Sequence, residues 1–311
     1  MLYEKDLFMY IVTMNLHYFG TPKFAVPALK VLSQDPFFNI LGVVTQPDKP
    51  GDRKKITPSP VKTAAEELDL PILQPEKLTK EFIKELSNAT PAPDVIIVSA
   101  YGGLIPEALL ELPKYGCVNV HPSLLPRYRG ASPIQEALLN GDEDTGVAFI
   151  KLDEELDHGP VHLIQRVPID PSDTLTTLTE KLGALAAQLL PFVLRDIAQD
   201  SLAPIPQEDH KATFCRKIEK KDGEIDLKKP AQEILNQIRA LNPWPGTFLT
   251  IKDKTIKILE AKTALKNTEL DKKTIALKTG TDLLLPTKLQ APGKNPMSAA
   301  EFLNGNRDLF S

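Results

Sequence analysis

The sequence predicts an α/β protein in which a doubly wound, mainly parallel sheet is followed by a smaller, OB-like β-barrel. Two observations predict this architecture. Over the first 198 residues, short Val- and Ile-rich runs alternate with amphipathic stretches, as strands and helices do around a parallel sheet covered on both faces. Beyond residue 214, the pattern changes to short alternating segments separated by Asp, Lys and Gly, which is typical of a small barrel.

The α/β part opens with a strand at Asn15–Phe19, a turn at Gly20–Pro22 and an amphipathic helix at Lys23–Leu32. Asp94–Ala100 (DVIIVSA) is a nearly continuous apolar run, as expected for a strand buried on both faces. The other strands are predicted at Asn39–Thr45, Cys117–Val120, Val147–Lys151 and Val161–Ile169. The other helices are predicted at Val61–Leu68, Thr79–Leu86, Ser132–Leu139 and Thr174–Ile197.

The second part begins after a segment with two prolines and few apolar residues, which predicts a linker over residues 199–214. We therefore expect a catalytic domain at 14–198 and a barrel at 215–311. The barrel has one helix, at Pro230–Ala240, and strands at Thr247–Ile251, Thr255–Ala261, Thr274–Lys278 and Thr281–Leu285. Residues 1–13 precede the first strand, so we expect them to be extra and Met14 to be the natural start.

Charge is divided unevenly along the chain. The net charge is −4, but the residues from Gln207 onward contain 19 Lys and Arg against 14 Asp and Glu. An acidic first part joined to a basic second part is expected of a protein whose second part meets a polyanion. A Lys-rich solvated surface would give the same composition, so charge alone leaves both interpretations open.

Composition excludes several classes of function. The two cysteines, Cys117 and Cys215, are far apart, which argues against a disulfide framework or a zinc site and favours a reducing cytoplasm. The five histidines show no metal-binding spacing, so no metal is expected. No run approaches the ~20 apolar residues of a membrane span. The sequence also lacks a Walker loop, a GxGxxG fingerprint and a GxSxG elbow.

A pair of polar residues follows one predicted strand, where α/β sheets place their sites. Asn119 and His121 are two residues apart in an extended segment, so they point to the same side. An amide donor beside an imidazole can hold a carbonyl oxygen as it gains negative charge, and the imidazole can move a proton near neutral pH. Asp157, after the next strand, supplies a carboxylate that can orient the imidazole. Satisfied polar residues at a strand end would give the same pattern.

Asn119–Pro126 (NVHPSLLP) resembles the segment over the active site of the folate-dependent formyltransferases, and Leu156–Gly159 (LDHG) is similar to the segment that supplies their Asp. Four further segments resemble, in order, a branch of that family that acts on a charged tRNA: FGTPKFAVPAL from Phe19, RYRGASPIQ from Arg127, NPWPG from Asn242 and LQAPGKNPMSAAEFL from Leu289. The resemblance covers about nine tenths of the chain.

The resemblance implies transfer of a formyl group from 10-formyltetrahydrofolate to the methionine amine of initiator methionyl-tRNA, without a metal. It implies that Asn119 and His121 stabilise the oxyanion, that Asp157 orients His121, and that the folate site is lined by Ser123, Leu124, Leu125 and Pro126. The loop after Asp48 is shorter than usual for the family. It supplies the candidate tRNA contacts Arg53, Lys54 and Lys55. We expect a cytoplasmic monomer.

Two alternatives remain at this point. Another folate-dependent formyltransferase, acting on a ribonucleotide amine or on a sugar-nucleotide amine, would carry the same Asn119, His121 and Asp157. The basic second part argues against the ribonucleotide enzyme, which has a single domain. The basic loop at Lys49–Lys62 and the APGKNPMSA segment favour tRNA over a sugar nucleotide. A catalytically inactive α/β domain that carries an RNA-binding module is disfavoured, because all three of the candidate catalytic residues are present.

Overall fold

The computed structural model describes residues 13–50, 56–88, 90–271, 273–306 and 309. The chain forms two compact units whose segments alternate along the sequence. The first unit comprises the described residues up to His121 together with Val147–Ile164 and Lys181–Gln207. The second comprises Pro122–Gly146, Gln165–Glu180 and the described residues from Glu208 onward.

Helices and strands alternate over the first 200 residues, as the sequence predicted. The strands are β1 (Met14–Gly20), β2 (Phe38–Val44), β3 (Lys49–Pro50), β4 (Ile56–Thr57), β5 (Ile72–Leu73), β6 (Val95–Ser99), β7 (Cys117–His121), β8 (Arg129–Gly130), β9 (Asp144–Lys151) and β10 (Val161–Pro168). The helices are α1 (Val26–Gln34), α2 (Pro60–Glu67), α3 (Lys80–Ser87), α4 (Glu107–Leu110), α5 (Pro133–Leu139) and α6 (Leu175–Ala198).

The principal sheet has the strand order β10-β9-β7-β6-β1-β2-β5. The pairs from β7 through β5 are parallel, and β9 runs antiparallel to β7. The chain builds outward from β1 to β5, then returns to β6 on the other side of β1. Such a reversal is where doubly wound sheets bind ligands, beyond the carboxyl ends of their strands. The neighbouring strand β7 carries two of the predicted site residues at that end.

The sheet is held by its buried apolar strands. All five residues of β6 are buried, and Leu16, Tyr18 and Phe19 of β1 are fully buried. Burial of a Leu or Phe side chain contributes about 1.5–3 kcal/mol. Two helices against this sheet begin at capping residues: the hydroxyl of Ser59 accepts from the amide of Lys62 in α2, and that of Thr79 accepts from the amide of Phe82 in α3.

The second unit contains an antiparallel sheet. Its remaining elements are β11 (Phe214–Cys215), α7 (Ala231–Leu241), β12 (Thr247–Ile251), β13 (Lys254–Ala264), β14 (Leu277–Lys278), β15 (Leu283–Gln290), β16 (Met297–Ser298) and α8 (Ala299–Asn306). The sheet order is β12-β13-β15-β14, with β16 also paired to β15. Ile234 and Ile238 of α7 pack into one apolar core with Ile258, Leu284 and Phe302.

These findings confirm the predicted fold class, a mainly parallel α/β part and an antiparallel β part. The domain boundaries at 198 and 215 stay a prediction. Part of the predicted linker is structured: Ile205 forms a β-bridge with Val161, and Asp209–Lys211 forms a turn of 3-10 helix. Within the described residues, none of the helices combines the length and the apolar character that crossing a membrane requires.

Candidate active site

Asn119 and His121 lie on β7 with their side chains buried, at 8% and 4% exposure. Strand β7 pairs with β6 on one side and with β9 on the other, so its backbone is fixed along both edges. Because successive side chains of a strand point to opposite faces, residues 119 and 121 share one face. The predicted pair is therefore held on a rigid strand rather than on a loop.

Asp157 joins the pair through both of its carboxylate oxygens. The side-chain amide of Asn119 donates to Oδ1 of Asp157 at 3.2 Å. Nδ1 of His121 lies 3.5 Å from Oδ2 of Asp157, which is ion-pair distance and longer than a normal hydrogen bond. The structure thus brings together the three residues that the sequence singled out, although 38 positions separate Asn119 from Asp157.

The arrangement fits acyl-transfer chemistry. A carboxylate at Nδ1 favours the tautomer in which that nitrogen carries the proton, which directs Nε2 to the reacting groups. A side-chain amide has two N–H bonds, so Asn119 can serve Asp157 and an oxyanion together. All three side chains are buried, where hydrogen bonds to a developing charge are stronger than in water. The cluster can stabilise an oxyanion and move a proton.

Asp157 stands in the turn between β9 and β10, and its backbone is unusual. Its φ is +49°, in the left-handed region that costs a residue with a side chain about 1–2 kcal/mol. Two residues later, a Cβ on Gly159 would overlap the carbonyl oxygen of Lys151, so only glycine fits there. This steric requirement explains why the LDHG segment has glycine at position 159.

Two contacts of this turn were not foreseen from the sequence. Nδ1 of His158 lies 2.6 Å from Oδ2 of Asp153. The side-chain amide of Gln207 donates to the carbonyl oxygens of Asp157 and Gly159, at 2.8 Å each. Nothing in the composition of the segment around Gln207 marks this residue, because its partners are 50 and 48 positions away.

The residues predicted to line the folate site belong to the segment after β7. Ser123 is fully buried, and its hydroxyl donates to the carbonyl oxygen of Arg127 at 2.7 Å. Leu125 is also buried, whereas Leu124 and Pro126 are half-buried. The hydroxyl of Ser123 thus closes a turn. Contact of Ser123, Leu124, Leu125 and Pro126 with folate stays a prediction.

The predicted tRNA contacts Arg53, Lys54 and Lys55 lie outside the described residues. The chain on either side of them forms a short antiparallel pair, β3 with β4, in which Lys49 faces Thr57. Lys62, in the same basic segment, lies 2.6 Å from the carboxylate of Asp48. This ion pair and a hydrogen bond from Gln74 lower the pKa of Asp48 below its ordinary value.

A metal site has no support among the residues that the structure describes, where no three His, Cys, Asp or Glu side chains cluster as ligands. His17 and His162 are separate from the catalytic cluster, and burial lowers the pKa of both. Cys117, the first residue of β7, is buried, and burial raises the pKa of its thiol to about 12. A thiol with so high a pKa is a poor nucleophile at neutral pH.

Comparison with known proteins identifies the family. Residues 14–194 match the formyl transferase family, and residues 217–307 match the formyl transferase C-terminal domain. The methionyl-tRNA formyltransferase of Caldicellulosiruptor saccharolyticus is 41% identical over 94% of this chain and 97% of its own length. That of Dictyoglomus turgidum is 42% identical, with the same two shares. The resemblance seen in the sequence is thereby confirmed.

Solved structures share the fold at lower identity. An N-formyltransferase from Helicobacter canadensis, in complex with folinic acid and dTDP-3-aminofucose, has a TM-score of 0.66 at 18% identity and covers 90% of this chain and 100% of its own. HypX from Aquifex aeolicus, in complex with tetrahydrofolic acid, has a TM-score of 0.61 at 14% identity over 93% of this chain. This chain spans about half of HypX, 46% of its length. The family matches and the nearly full-length relatives together establish that the chain belongs to the formyl transferase family.

Proposed function

We propose that the protein transfers the formyl group of 10-formyltetrahydrofolate to the amino group of methionine on initiator methionyl-tRNA, giving N-formylmethionyl-tRNA for translation initiation. The observation that carries this proposal is identity of about 41% with methionyl-tRNA formyltransferases over nearly their whole length. The buried cluster of Asn119, His121 and Asp157 supports it, because the cluster supplies the groups that formyl transfer to an amine needs.

The proposed mechanism assigns one role to each residue. The methionine amine adds to the formyl carbon, and the formyl oxygen gains negative charge. Asn119 donates a hydrogen bond to that oxyanion, and His121 does so as well once its Nε2 has taken a proton. His121 also relays the proton that the amine loses toward the folate nitrogen N10, whose bond to the formyl carbon breaks. Asp157 orients the imidazole and stabilises it while it is protonated.

The substrate contacts follow the family resemblance. Ser123–Pro126 lines the folate site in this proposal, and Arg53, Lys54 and Lys55 contact the tRNA. The catalytic domain spans 14–198, and the part at 215–311 binds the tRNA. This end of the chain is well suited to a polyanion, because the residues from Gln207 onward, which include 215–311, carry five more positive than negative charges. We further propose that the protein is a cytoplasmic monomer.

A sugar-nucleotide amine is the second candidate acceptor. The resemblance to the Helicobacter canadensis N-formyltransferase raises this possibility, but at 18% identity it concerns the fold alone. The basic loop at Lys49–Lys62 and the charge of the second part favour a polyanionic acceptor over a small one. The methionyl-tRNA relatives are also more than twice as similar in sequence.

The experiment that tests the proposal is formyl transfer from radiolabelled 10-formyltetrahydrofolate. Charged initiator methionyl-tRNA, uncharged tRNA and a dTDP-linked amino sugar are offered as acceptors in parallel. We expect labelled N-formylmethionine to be released only from the charged tRNA. Label on the amino sugar alone would overturn the tRNA assignment while leaving the formyl-transfer chemistry in place.

A further inference from the structure

Gln207 makes two hydrogen bonds to the turn that carries Asp157. Its side-chain amide donates to the carbonyl oxygen of Asp157 and to that of Gly159, each at 2.8 Å. An amide group has two N–H bonds and no more, so both donors are used on this turn. The contact is a clamp that spans residues 157–159.

The clamp matters because the conformation of Asp157 is one that the chain does not adopt readily. A left-handed φ of +49° at a residue with a Cβ persists only where the surroundings hold it. Rotation of this backbone toward an ordinary conformation would swing the carboxylate away. That carboxylate is the single group that contacts both Asn119 and His121 in the cluster described above.

Other contacts restrain the two ends of the turn. His158 is tied to Asp153 on the amino-terminal side of the turn. Gly159 is packed against the carbonyl of Lys151, whose own amide donates to the carbonyl oxygen of Pro160 at 2.9 Å. The Gln207 hydrogen bond acts directly on the carbonyl group of Asp157.

Gln207 is itself held by the segment that carries it. Two residues earlier, the backbone of Ile205 exchanges hydrogen bonds with Val161, each 2.8 Å long, at the beginning of β10. The clamp therefore connects the turn before β10 to a backbone that is already anchored on β10. A long polar side chain on an anchored backbone can fix a neighbouring turn at modest cost in entropy.

We propose that Gln207 is a positioning residue for formyl transfer, which holds the backbone of Asp157 so that its carboxylate reaches Asn119 and His121 together. This inference rests on the proposed function for the identity of the reaction. The clamp itself does not depend on which amine accepts the formyl group. Misplacement of a catalytic group by about 1 Å costs roughly 100-fold in rate, which sets the scale of the effect.

Replacement Gln207→Met tests the proposal, because methionine keeps the length of the side chain but donates no hydrogen bond. We expect kcat to fall about 10- to 100-fold. KM for each substrate should stay within about twofold of the value for the wild-type protein. Gln199→Met is the matched control, since Gln199 is exposed and stands outside the cluster. Gln207→Glu is the second variant, because it keeps the shape and replaces the donor with a carboxylate.

A double-mutant cycle with Asp157→Ala distinguishes positioning from a general loss of stability, with kcat measured in single turnover. If Gln207 acts through Asp157, the substitution at 207 changes kcat by less than about twofold in the Asp157→Ala background. An equal fractional loss in both backgrounds would overturn the proposal, as would an unchanged kcat in Gln207→Met and Gln207→Glu.

Hydrogen exchange gives a readout that does not require activity. We expect amides in residues 153–159 to exchange at least about tenfold faster in Gln207→Met, or in Gln207→Glu if the first variant does not fold, than in Gln199→Met. Unchanged exchange there would show that the turn does not depend on the clamp. If the protein formylated none of the acceptors offered, the proposed function would fail while this measurement still decided the clamp.

Discussion

Asp157 is the residue that joins the candidate catalytic cluster, since its two oxygens contact Asn119 and His121 separately. The pairing of Asn119 with His121 could be predicted from the sequence because two positions on one strand share a face. Asp157 could be proposed from its position after the next strand, but its contacts with the pair could not, because they join residues 36 and 38 positions apart. Gln207 was missed for the same reason.

Replacement His121→Ala removes the imidazole that, in the proposed mechanism, donates to the oxyanion and moves the proton. We expect kcat to fall about 100-fold or more, since each of these roles contributes on the order of 10²-fold or more. Steady-state formylation of methionyl-tRNA measures the loss, and circular dichroism checks that the protein stays folded. His162→Ala is the control, because His162 lies on β10 outside the cluster. Turnover near the normal rate in His121→Ala would exclude a catalytic role.

His17 makes a separate prediction about stability and pH. The side chain is 3% exposed, its ring nitrogens are buried without a well-formed hydrogen bond, and burial lowers its pKa below 6.5, with the backbone of Gly42 opposing part of the effect. The unfolded chain therefore binds a proton that the folded chain does not. Stability is unaffected above the unfolded pKa and falls as the pH decreases through it toward the folded pKa.

We expect His17→Leu to reduce this loss by about 1 kcal/mol between about pH 7.5 and about pH 5.5. Urea unfolding of both proteins at the two pH values measures the difference. Substitution of the exposed His210 by Gln is the control and leaves the pH dependence as it was. The same loss in His17→Leu as in the unchanged protein would contradict the burial argument.

At the scale of elements, long apolar strands and capped helices were predicted well because their signals are local. β1, β6 and β7 and helices α2 and α3 lie within one or two residues of their predicted positions. Several of the missed elements are short, although α8, which has eight residues, was missed as well. β5, β8 and β11 have two residues each, which is too few for a periodic pattern. Such short strands form because another strand pairs with them, and that strand is distant in sequence.

The short pair of β3 and β4 frames the basic segment that the proposal assigns to tRNA. Charge reversal of Lys54 and Lys55 to Glu is expected to raise KM for methionyl-tRNA at least about tenfold, since each contact to a phosphate is lost and replaced by repulsion. KM for 10-formyltetrahydrofolate should stay within about twofold. Steady-state kinetics with each substrate varied in turn measures both.

Lys80→Glu combined with Lys84→Glu is the matched control for this charge reversal. Both residues are exposed on α3, and their replacement changes the net charge by the same amount. If the control raised KM for tRNA equally, the effect would be one of overall charge. If the Lys54 and Lys55 variant impaired folate and tRNA equally, these residues would not be tRNA contacts.

At the scale of the whole molecule, the two parts of the sequence differ in net charge, so they are suited to different binding partners. The chain carries a net −4, yet the residues from Gln207 onward have a surplus of positive charge. Exposed lysines on one strand, β13, include Lys257 and Lys262. The surplus of positive charge can be counted directly from the sequence. The position of each lysine on the surface depends on strand register, which the sequence does not give.

Salt is expected to weaken tRNA use selectively, because binding to several phosphates releases counterions. Raising KCl from about 50 mM to about 200 mM should lower kcat/KM for methionyl-tRNA at least about tenfold and leave that for folate within about twofold. Lys257→Glu combined with Lys262→Glu should make the dependence on salt shallower. An unchanged slope in that variant would remove β13 from the tRNA contacts.

The alternation of the two units along the chain has a consequence for the order in which the molecule is made. Within the second unit, α5 packs against α7, Arg129 pairs with Asp209 at 2.7 Å, and β8 pairs with β11. A ribosome releases α5 and β8 about 80 to 100 residues before these partners. The segments made first therefore lack their partners until these are synthesised, and contacts between residues so far apart in sequence form slowly. A fragment that begins at residue 215 would lack α5 and Arg129 altogether, and it would expose the part of α7 that α5 contacts in the intact chain.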